Sequence, residues 1–334
     1  MTHSKEDILK AIGNIKDPSR GDKTLKEVDA IKHIGFDEEK NSVVLIIELK
    51  QKIKEVVQPI KRKIAKIIKG ELGFDGVTTE FEQARPDTMS KETEILAIAS
   101  GKGGVGKSTV TANLAYALNS LGKKVAVVDA DIYGANMPKI FEVEGKEVRG
   151  DKDGNIEPLN IDGIQMVSTE FMVEKDRALV WRGPLLGKVL DVFFEKTKWR
   201  KDLDYMLIDL PPGTGDVMLD VNKILPDSKV AIVTTPHPNA SHIAIKAGFA
   251  AKDMNQEVIG VIENMSWYEV NEEKHKIFGE GGGQIVADKL LVPLLGQIPI
   301  GQPKSGKLSI YDESEFNGIL YLNLARRIMK ALRD

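Results

Sequence analysis

The chain of 334 residues contains no cysteine. Disulfides are therefore excluded, and so are the thiolate ligands that zinc ribbons and iron–sulfur clusters normally use. Aromatic residues make up only 6% of the chain, and no apolar run approaches the roughly 20 residues that a membrane-spanning helix requires. The N-terminus lacks an apolar signal segment, so we expect a cytoplasmic protein that does not associate with the membrane.

The composition is otherwise that of an ordinary globular protein. The 47 basic and 50 acidic side chains leave a net charge of -3, and 42% of the residues are apolar. A chain of this length exceeds the usual single domain, which favours one large domain together with a smaller one.

The first part of the chain predicts a small α-β-β-α-β domain over residues 1–84. A short helix at 4–16 precedes strands that begin at Val28 and at Asn41, and an amphipathic helix over 53–68 leads to a strand at 77–82. Pro59 must kink that helix or lie in its first turn. Residues 85–93 form a polar linker interrupted by Pro86.

Residues 94–334 predict a doubly wound, mainly parallel α/β sheet, because apolar strands alternate with longer amphipathic helices. The predicted strands are 94–99, 124–129, 164–168, 204–209, 229–234, 257–263 and 293–298. The predicted helices are 107–121, 184–197, 216–224, 240–253, 282–291 and 317–333.

A phosphate-binding loop lies between the first of these strands and the first helix. The pattern Gly101-x-x-x-x-Gly106-Lys107-Ser108 fits the Walker A motif. Its glycines let backbone N–H groups converge on phosphate, Lys107 supplies a charge to the β and γ phosphates, and Ser108 supplies a hydroxyl to Mg²⁺. A merely flexible glycine loop is the alternative, but it does not account for the flanking strand and helix. The candidate nucleotide-binding residues are Gly101, Lys102, Gly103, Gly104, Val105, Gly106, Lys107, Ser108 and Thr109.

Acidic residues follow two later strands of the same predicted sheet. Asp129 ends strand 124–129 and Asp131 follows two residues later, and Asp209 ends strand 204–209. Each alone is typical of a solvated strand end or a helix cap, but together beside a phosphate loop they favour a metal site. We expect Asp129 and Asp209 to hold Mg²⁺ through water, and a backbone N–H at Gly213 to meet the γ phosphate.

The loop and several later motifs resemble one family. Lys102 makes the loop similar to the deviant Walker A of the MinD, ArsA and nitrogenase-iron-protein superclass. The motifs over 129–134, 181–184, 209–216, 234–236, 263–266, 278–283 and 292–296 resemble the Mrp/ApbC family of iron–sulfur cluster carrier ATPases. That resemblance covers residues 94–300, and residues 4–83 resemble the small domain that many bacterial members carry in front.

The resemblance implies a Mg²⁺-dependent, ATP-hydrolysing homodimer that assembles iron–sulfur clusters or transfers them to apoproteins. Lys102 would reach the partner's nucleotide, Asp131 would position the attacking water, and Asn264 would touch the adenine. With Lys107, the implied catalytic residues are therefore Lys102 and Asp131. Phosphoryl transfer is consistent with this arrangement, because a second cation can neutralise charge that spreads over the phosphates.

The chain departs from the family at the cluster site. Members place a Cys-Pro-x-Cys pair shortly after the Glu-Asn-Met-Ser motif, whereas this chain has Val270 and Glu273 at those positions. The cysteine that often follows the second strand of the front domain is also absent. Oxygen and nitrogen ligands for a metal are available in what we expect to be a charged loop, from Glu269, Glu272, Glu273 and His275. A solvated charged loop is the alternative.

Three interpretations of the function follow. The chain retains the family role in iron–sulfur metabolism without cysteine, by transient binding through a partner such as an apoprotein client. Alternatively, its ATP dimer is a switch that recruits a protein or DNA, with hydrolysis as the off signal. A bare ATPase is the third interpretation.

The candidate DNA contact is the basic segment 50–69, in which eight cations accompany one acid, Glu55. Residues 1–85 as a whole carry 17 basic and 15 acidic side chains, which is far from a strongly basic domain. A solvated helix face is the alternative, and attachment to a membrane surface lacks aromatic anchors.

Overall fold

The computed structural model describes residues 3–21, 23–132, 134–148, 150–172 and 183–333. These residues form two compact units, Met1–Pro86 and Asp87–Asp334. Tyr133, Trp181 and Arg182, which belong to the motifs noted above, lie outside the described residues.

The first unit packs two helices on one face of a three-stranded sheet. Its strands are β1 (Lys16–Asp17), β2 (Lys23–Thr24), β3 (Ile31–Asp37), β4 (Ser42–Leu49) and β5 (Gly76–Gln83), and its helices are α1 (Lys5–Ile12) and α2 (Lys54–Ala65). The sheet order is β3-β4-β5, with β1 and β2 paired separately. Alternate residues of β4 are buried, as a sheet with one covered face requires.

Two details of this unit differ from or refine the sequence prediction. The first long strand begins at Ile31 rather than Val28, because Asp29 turns the chain with a φ of 49°. Helix α2 accommodates Pro59 in its interior and continues into a π-helical segment, Lys66–Glu71. Pro59 is therefore an interior residue of α2 and does not lie in its first turn.

The second unit alternates strands and helices along the chain. Its strands are β6 (Glu94–Ser100), β7 (Val125–Asp129), β8 (Leu159–Ile161), β9 (Ile164–Ser168), β10 (Tyr205–Asp209), β11 (Lys229–Thr234), β12 (Val258–Val270), β13 (Glu273–His275) and β14 (Leu294–Ile300). Its helices are α3 (Lys107–Ser120), α4 (Met137–Ile140), α5 (Gly183–Asp191), α6 (Asp216–Ile224), α7 (Pro238–Asp253), α8 (Gly282–Leu290) and α9 (Phe316–Ala331).

Helices cover both faces of the central sheet. The strand order is β13-β12-β11-β6-β10-β7-β9-β8, β14 pairs with β12, and only β8 and β13 run antiparallel to their neighbours. Strand β6 shows the two-sided burial, since Leu96 and Ile98 belong to one apolar core and Ile95 and Ala97 to the other. The predicted doubly wound, mainly parallel fold is confirmed.

The carboxyl ends of β6, β7 and β10 meet at one edge of this sheet. Asp209 of β10 pairs in register with Asp129 of β7 and with Ile98 of β6. Such an edge is where open α/β sheets bind ligands. In the part of the chain that the structure describes, none of the helices is both long and apolar enough to span a bilayer.

Candidate functional site

The glycine-rich loop joins β6 to α3 and is shaped by close backbone packing. Gly104 and Gly106 have φ values of 84° and 80°, a conformation that favours glycine. A Cβ at Gly101 would lie 2.5 Å from the carbonyl oxygen of Ile243 on α7, so only glycine fits. No side chain caps α3, whose first N–H groups and positive dipole end therefore face the loop.

Lys107 lies at the base of this loop with only 6% of its surface exposed. Its Nζ is 2.7 Å from Asp209 Oδ2 and 4.0 Å from Asp131 Oδ2. The contact with Asp209 is a close ion pair inside the protein. The two carboxylates thus place a positive charge directly beneath the loop.

Asp209 is held by two hydroxyl groups from α3. Ser108 Oγ donates to Asp209 Oδ2 at 2.6 Å, and Thr111 Oγ1 donates to Oδ1 at 2.8 Å. Thr111 was not among the predicted site residues. Its signal in the sequence is a hydroxyl one helical turn after Lys107, which places both on the same face of α3.

Asp129 is the most enclosed carboxyl group of the site. Ser168 Oγ, at the end of β9, donates to its Oδ2 at 2.9 Å, while Oδ1 has no partner among the described residues. Burial raises the pKa of Asp129 to about 8, and the charge of Asp209 adds to the shift. A buried oxygen without a partner fits a site that receives a water molecule or a cation.

Asp131 lies beside the loop in a small cleft. Burial raises its pKa, while Lys107 acts in the opposite direction. The cleft has a volume of about 160 Å³, and its wall includes Asn136 and Pro212. Of the predicted residues it brings together Lys102, Gly103, Gly104, Val105, Gly106, Lys107, Ser108, Thr109 and Asp131.

Lys102 and Gly213 occupy the outer part of the loop region. The side chain of Lys102 is exposed, and its carbonyl oxygen accepts from Ser100 Oγ at 3.2 Å. Gly213 has a φ of 93°, and its N–H donates to the carbonyl oxygen of Ser100 at 2.8 Å. The N–H that we expected to point at a phosphate is therefore bonded to the strand that precedes the loop.

Asn264 connects the loop to a second cavity. Its Nδ2 donates to the carbonyl oxygen of Val105 at 2.9 Å. The cavity, of about 230 Å³, shares Gly106 and Thr109 with the cleft. The rest of its wall is mainly apolar or aromatic, with Met265, Ile298, Pro299, Ile300, Leu308, Tyr311 and Tyr321. A cavity with apolar and aromatic walls next to a phosphate loop suits a nucleotide base.

Residues 269–275 form part of a β-hairpin, and the prediction of a charged loop there was wrong. Val270 of β12 pairs with Glu273 of β13 across a turn at Asn271 and Glu272, which both have positive φ. Backbone pairing of adjacent strands spreads the candidate ligands along the hairpin. No group of three or more His, Cys, Asp or Glu side chains suited to a metal ion occurs in the described ranges.

The basic segment of the first unit is solvent-exposed. Seven of its eight cations are exposed: Lys52, Lys54, Lys61, Arg62, Lys63, Lys66 and Lys69. The buried face of α2 consists instead of Val56, Ile60 and Ile64. The charge is thus separated from the core, as both a solvated face and a polyanion contact would require.

Known proteins similar in sequence to this chain include iron–sulfur cluster carriers. The family model of the ParA group described as NUBPL iron-transfer P-loop NTPase matches residues 91–314. An iron–sulfur cluster carrier protein of Bacillus subtilis is 39% identical and is aligned over 97% of both chains.

Two solved structures extend the comparison. A nucleotide-binding protein of Archaeoglobus fulgidus in complex with ADP is 31% identical, with a TM-score of 0.53 over 72% of this chain and 88% of its own. The septum site-determining protein MinD of Pyrococcus horikoshii, complexed with Mg-ADP, is 25% identical, with a TM-score of 0.52 over 71% of this chain and 96% of its own. The chain therefore belongs to the Mrp/NUBPL-type family of iron–sulfur cluster carrier P-loop NTPases, within the MinD/ParA superfamily.

Proposed function

We propose that this chain is a Mg²⁺-dependent ATPase that works as a homodimer. The observation that carries the proposal is the buried Lys107 ammonium, which lies 2.7 Å from Asp209 and 4.0 Å from Asp131 where a glycine-rich loop meets the start of a helix. The phosphate chain of ATP would supply further anionic acceptors for this ammonium. The Mg-ADP and ADP bound to the two similar structures support the same choice of ligand.

The residues that line the cleft and those packed beneath it suit the proposed roles. Lys107 and the backbone of residues 101–109 would bind the phosphates, and Ser108 with Asp129 and Asp209 would hold Mg²⁺, the two carboxylates through water. Mg²⁺ would neutralise charge on the phosphate oxygens. Asp131, which lines the cleft, would position the attacking water, and exposed Lys102 would reach the partner's nucleotide.

Two further residues would contact the nucleotide. Because Nδ2 of Asn264 is bonded to Val105, its Oδ1 remains as an acceptor for the exocyclic amine of adenine. A contact between Gly213 and the γ phosphate would require its bond to Ser100 to be exchanged.

Equilibrium binding and sedimentation test this proposal. We expect wild-type protein to bind ATP tightly with Mg²⁺ and to sediment as a dimer with a non-hydrolysable ATP analogue. Lys107→Ala should lose tight binding. Sedimentation as an unchanged monomer with and without the analogue would contradict the homodimer, and equal ATP affinity in the variant would contradict the site.

We propose that the ATPase serves iron–sulfur cluster delivery, as the family does, with thiolate ligands supplied by the client apoprotein. The absence of cysteine rules out a thiolate-bound cluster on this chain alone. The test follows the transfer of clusters from a glutathione complex to an apo-ferredoxin by absorbance. ATP should accelerate transfer with wild-type protein and not with Lys107→Ala, and equal rates with both proteins would contradict the proposal.

The second candidate is an ATP-dependent switch that binds DNA, favoured by the seven exposed cations of segment 50–69. The first unit would then act as a separate DNA-contacting domain. Affinity for duplex DNA should fall steeply with salt and differ between ATP and ADP. A triple variant, Lys61→Glu, Arg62→Glu and Lys66→Glu, should lose binding, while Lys10→Glu, Lys23→Glu and Lys26→Glu provide a control of equal charge. Equal losses in both variants, or no nucleotide dependence, would exclude this function.

A further inference from the structure

Asn113 is a buried amide on α3 that links the helix to a segment distant in sequence. Only 3% of its surface is exposed. Its Nδ2 donates to the carbonyl oxygens of Thr109 at 2.9 Å and Ser309 at 2.8 Å, and its Oδ1 accepts from the backbone N–H of Tyr311 at 3.0 Å. Both the amide nitrogen and the amide oxygen of Asn113 are therefore hydrogen-bonded. Two of the three bonds reach Ser309 and Tyr311, almost 200 positions later in the chain.

The segment that Asn113 holds forms one wall of the cavity of about 230 Å³ described above, which we call the base cavity. Leu308, Ser309 and Tyr311 line this cavity, as do Gly106 and Thr109 of the phosphate loop. They belong to the irregular stretch between β14 and α9, which has no strand ladder to fix its distance from the loop. Apolar packing also holds this stretch, since Ile310 is buried in the core and Tyr311 stacks on Tyr321, but the hydrogen bonds from Asn113 tie its backbone directly to α3.

We propose that Asn113 is a positioning residue for base recognition. It fixes the base-cavity wall to the same helix whose first turn binds the phosphates, and so sets the spacing between the two ends of the nucleotide site. This inference rests on the proposed nucleotide-binding function and adds to it a residue that touches neither phosphate nor base. Loss of the amide should weaken binding of the base and leave the phosphate contacts intact.

The test compares Mg-ATP with inorganic tripolyphosphate, which carries the phosphates without the base. Asn113→Ala should lower the affinity for ATP about tenfold or more, as expected when buried backbone groups lose their partners, and leave the affinity for tripolyphosphate within about twofold. Asn119→Ala is the matched control, because Asn119 lies on the same helix and donates to the carbonyl oxygen of Asp162 away from the cavity. It should match wild type with both ligands.

A second variant covers the case in which Asn113→Ala does not fold. Leu308 lines the cavity but is 51% exposed, so Leu308→Ala should fold normally and show the same selective loss for ATP. Equal losses for ATP and tripolyphosphate, or unchanged ATP affinity in a folded Asn113→Ala protein, would overturn the positioning role. Wild-type protein that binds neither ligand would instead overturn the proposed function, and the inference with it.

Discussion

Thr111 Oγ1 lies 2.8 Å from Asp209 Oδ1, while Ser108 Oγ lies 2.6 Å from the other oxygen of the same carboxylate. If Ser108 binds Mg²⁺ as proposed, Thr111 would be the hydroxyl that remains bonded to Asp209. Thr111→Val should therefore raise the Mg²⁺ concentration for half-maximal ATP hydrolysis about tenfold, since a hydrogen bond to a charged group contributes about 1.5–3 kcal/mol.

Thr111→Ser is the control for this prediction, because it keeps the hydroxyl and should behave like wild type. A titration of the hydrolysis rate with Mg²⁺ distinguishes the two variants. The same Mg²⁺ requirement in the valine and serine variants would remove Thr111 from the metal site and leave it as a packing residue.

The raised pKa of Asp129 predicts how the stability of the protein depends on pH without nucleotide and Mg²⁺. The folded protein holds a proton at this carboxyl up to about pH 8, whereas the unfolded chain releases it near the ordinary value of 3.8. The stabilisation from this group is therefore complete below about pH 4 and is lost as pH rises through 8, by up to about 1.4 kcal/mol per pH unit.

Urea denaturation at pH 5.5 and 8.5 in the presence of EDTA measures this dependence. Wild-type protein should lose stability between these pH values, and Asp129→Asn should lose clearly less, because its amide does not titrate. Parallel pH profiles for the two proteins would show that Asp129 is ionised throughout.

Gly101 should not tolerate a side chain. A Cβ there would meet the Ile243 carbonyl oxygen at 2.5 Å and the Ala244 nitrogen at 2.6 Å, both backbone atoms that cannot move aside cheaply. Gly101→Ala should lower the free energy of unfolding by about 1–3 kcal/mol, the usual cost of overpacking. Gly103→Ala is the matched control, since its Cβ would meet only Pro212 at 3.8 Å. Thermal melts that do not separate these variants would contradict the packing described for the loop.

The sequence predicts the fold and the residues of the cleft because their signals are local. Strand, glycine loop and helix are contiguous around Lys107, and Asp129 and Asp209 end runs of apolar residues. Ser168 carries no such signal, and the position of Thr111 one turn after Lys107 is only a weak one, since a hydroxyl on a buried helix or strand is common and its partner is set by strand order. Asn113 is harder still to identify, because its partners are Ser309 and Tyr311.

The hairpin at Val270 and Glu273 was mispredicted for a different reason. Its polar residues suggested a loop, but strand pairing is decided by backbone hydrogen bonds to a neighbour and overrides the composition of an exposed edge. Both central residues of the turn have positive φ, a conformation that favours glycine. Glu272 at the second position therefore gives no sequence signal for this turn.

Asp131→Ala should separate binding from chemistry. The carboxylate lines the cleft 4.0 Å from Lys107, so ATP should still bind to the variant while steady-state hydrolysis falls by about 10²-fold or more, on the order of what positioned proton-transfer groups contribute. Turnover comparable to wild type at saturating ATP would refute the role of Asp131.

The most direct test of an ATP-hydrolysing dimer with a lysine supplied in trans is to mix Lys102→Ala with Asp131→Ala and measure phosphate release. Each variant alone should be nearly inactive. In a mixed dimer, the site that retains Asp131 receives Lys102 from the other subunit, so an equal mixture should recover about a quarter of the wild-type rate if subunits exchange freely and the cation acts in trans. Activity no higher than the average of the two variants would contradict the account.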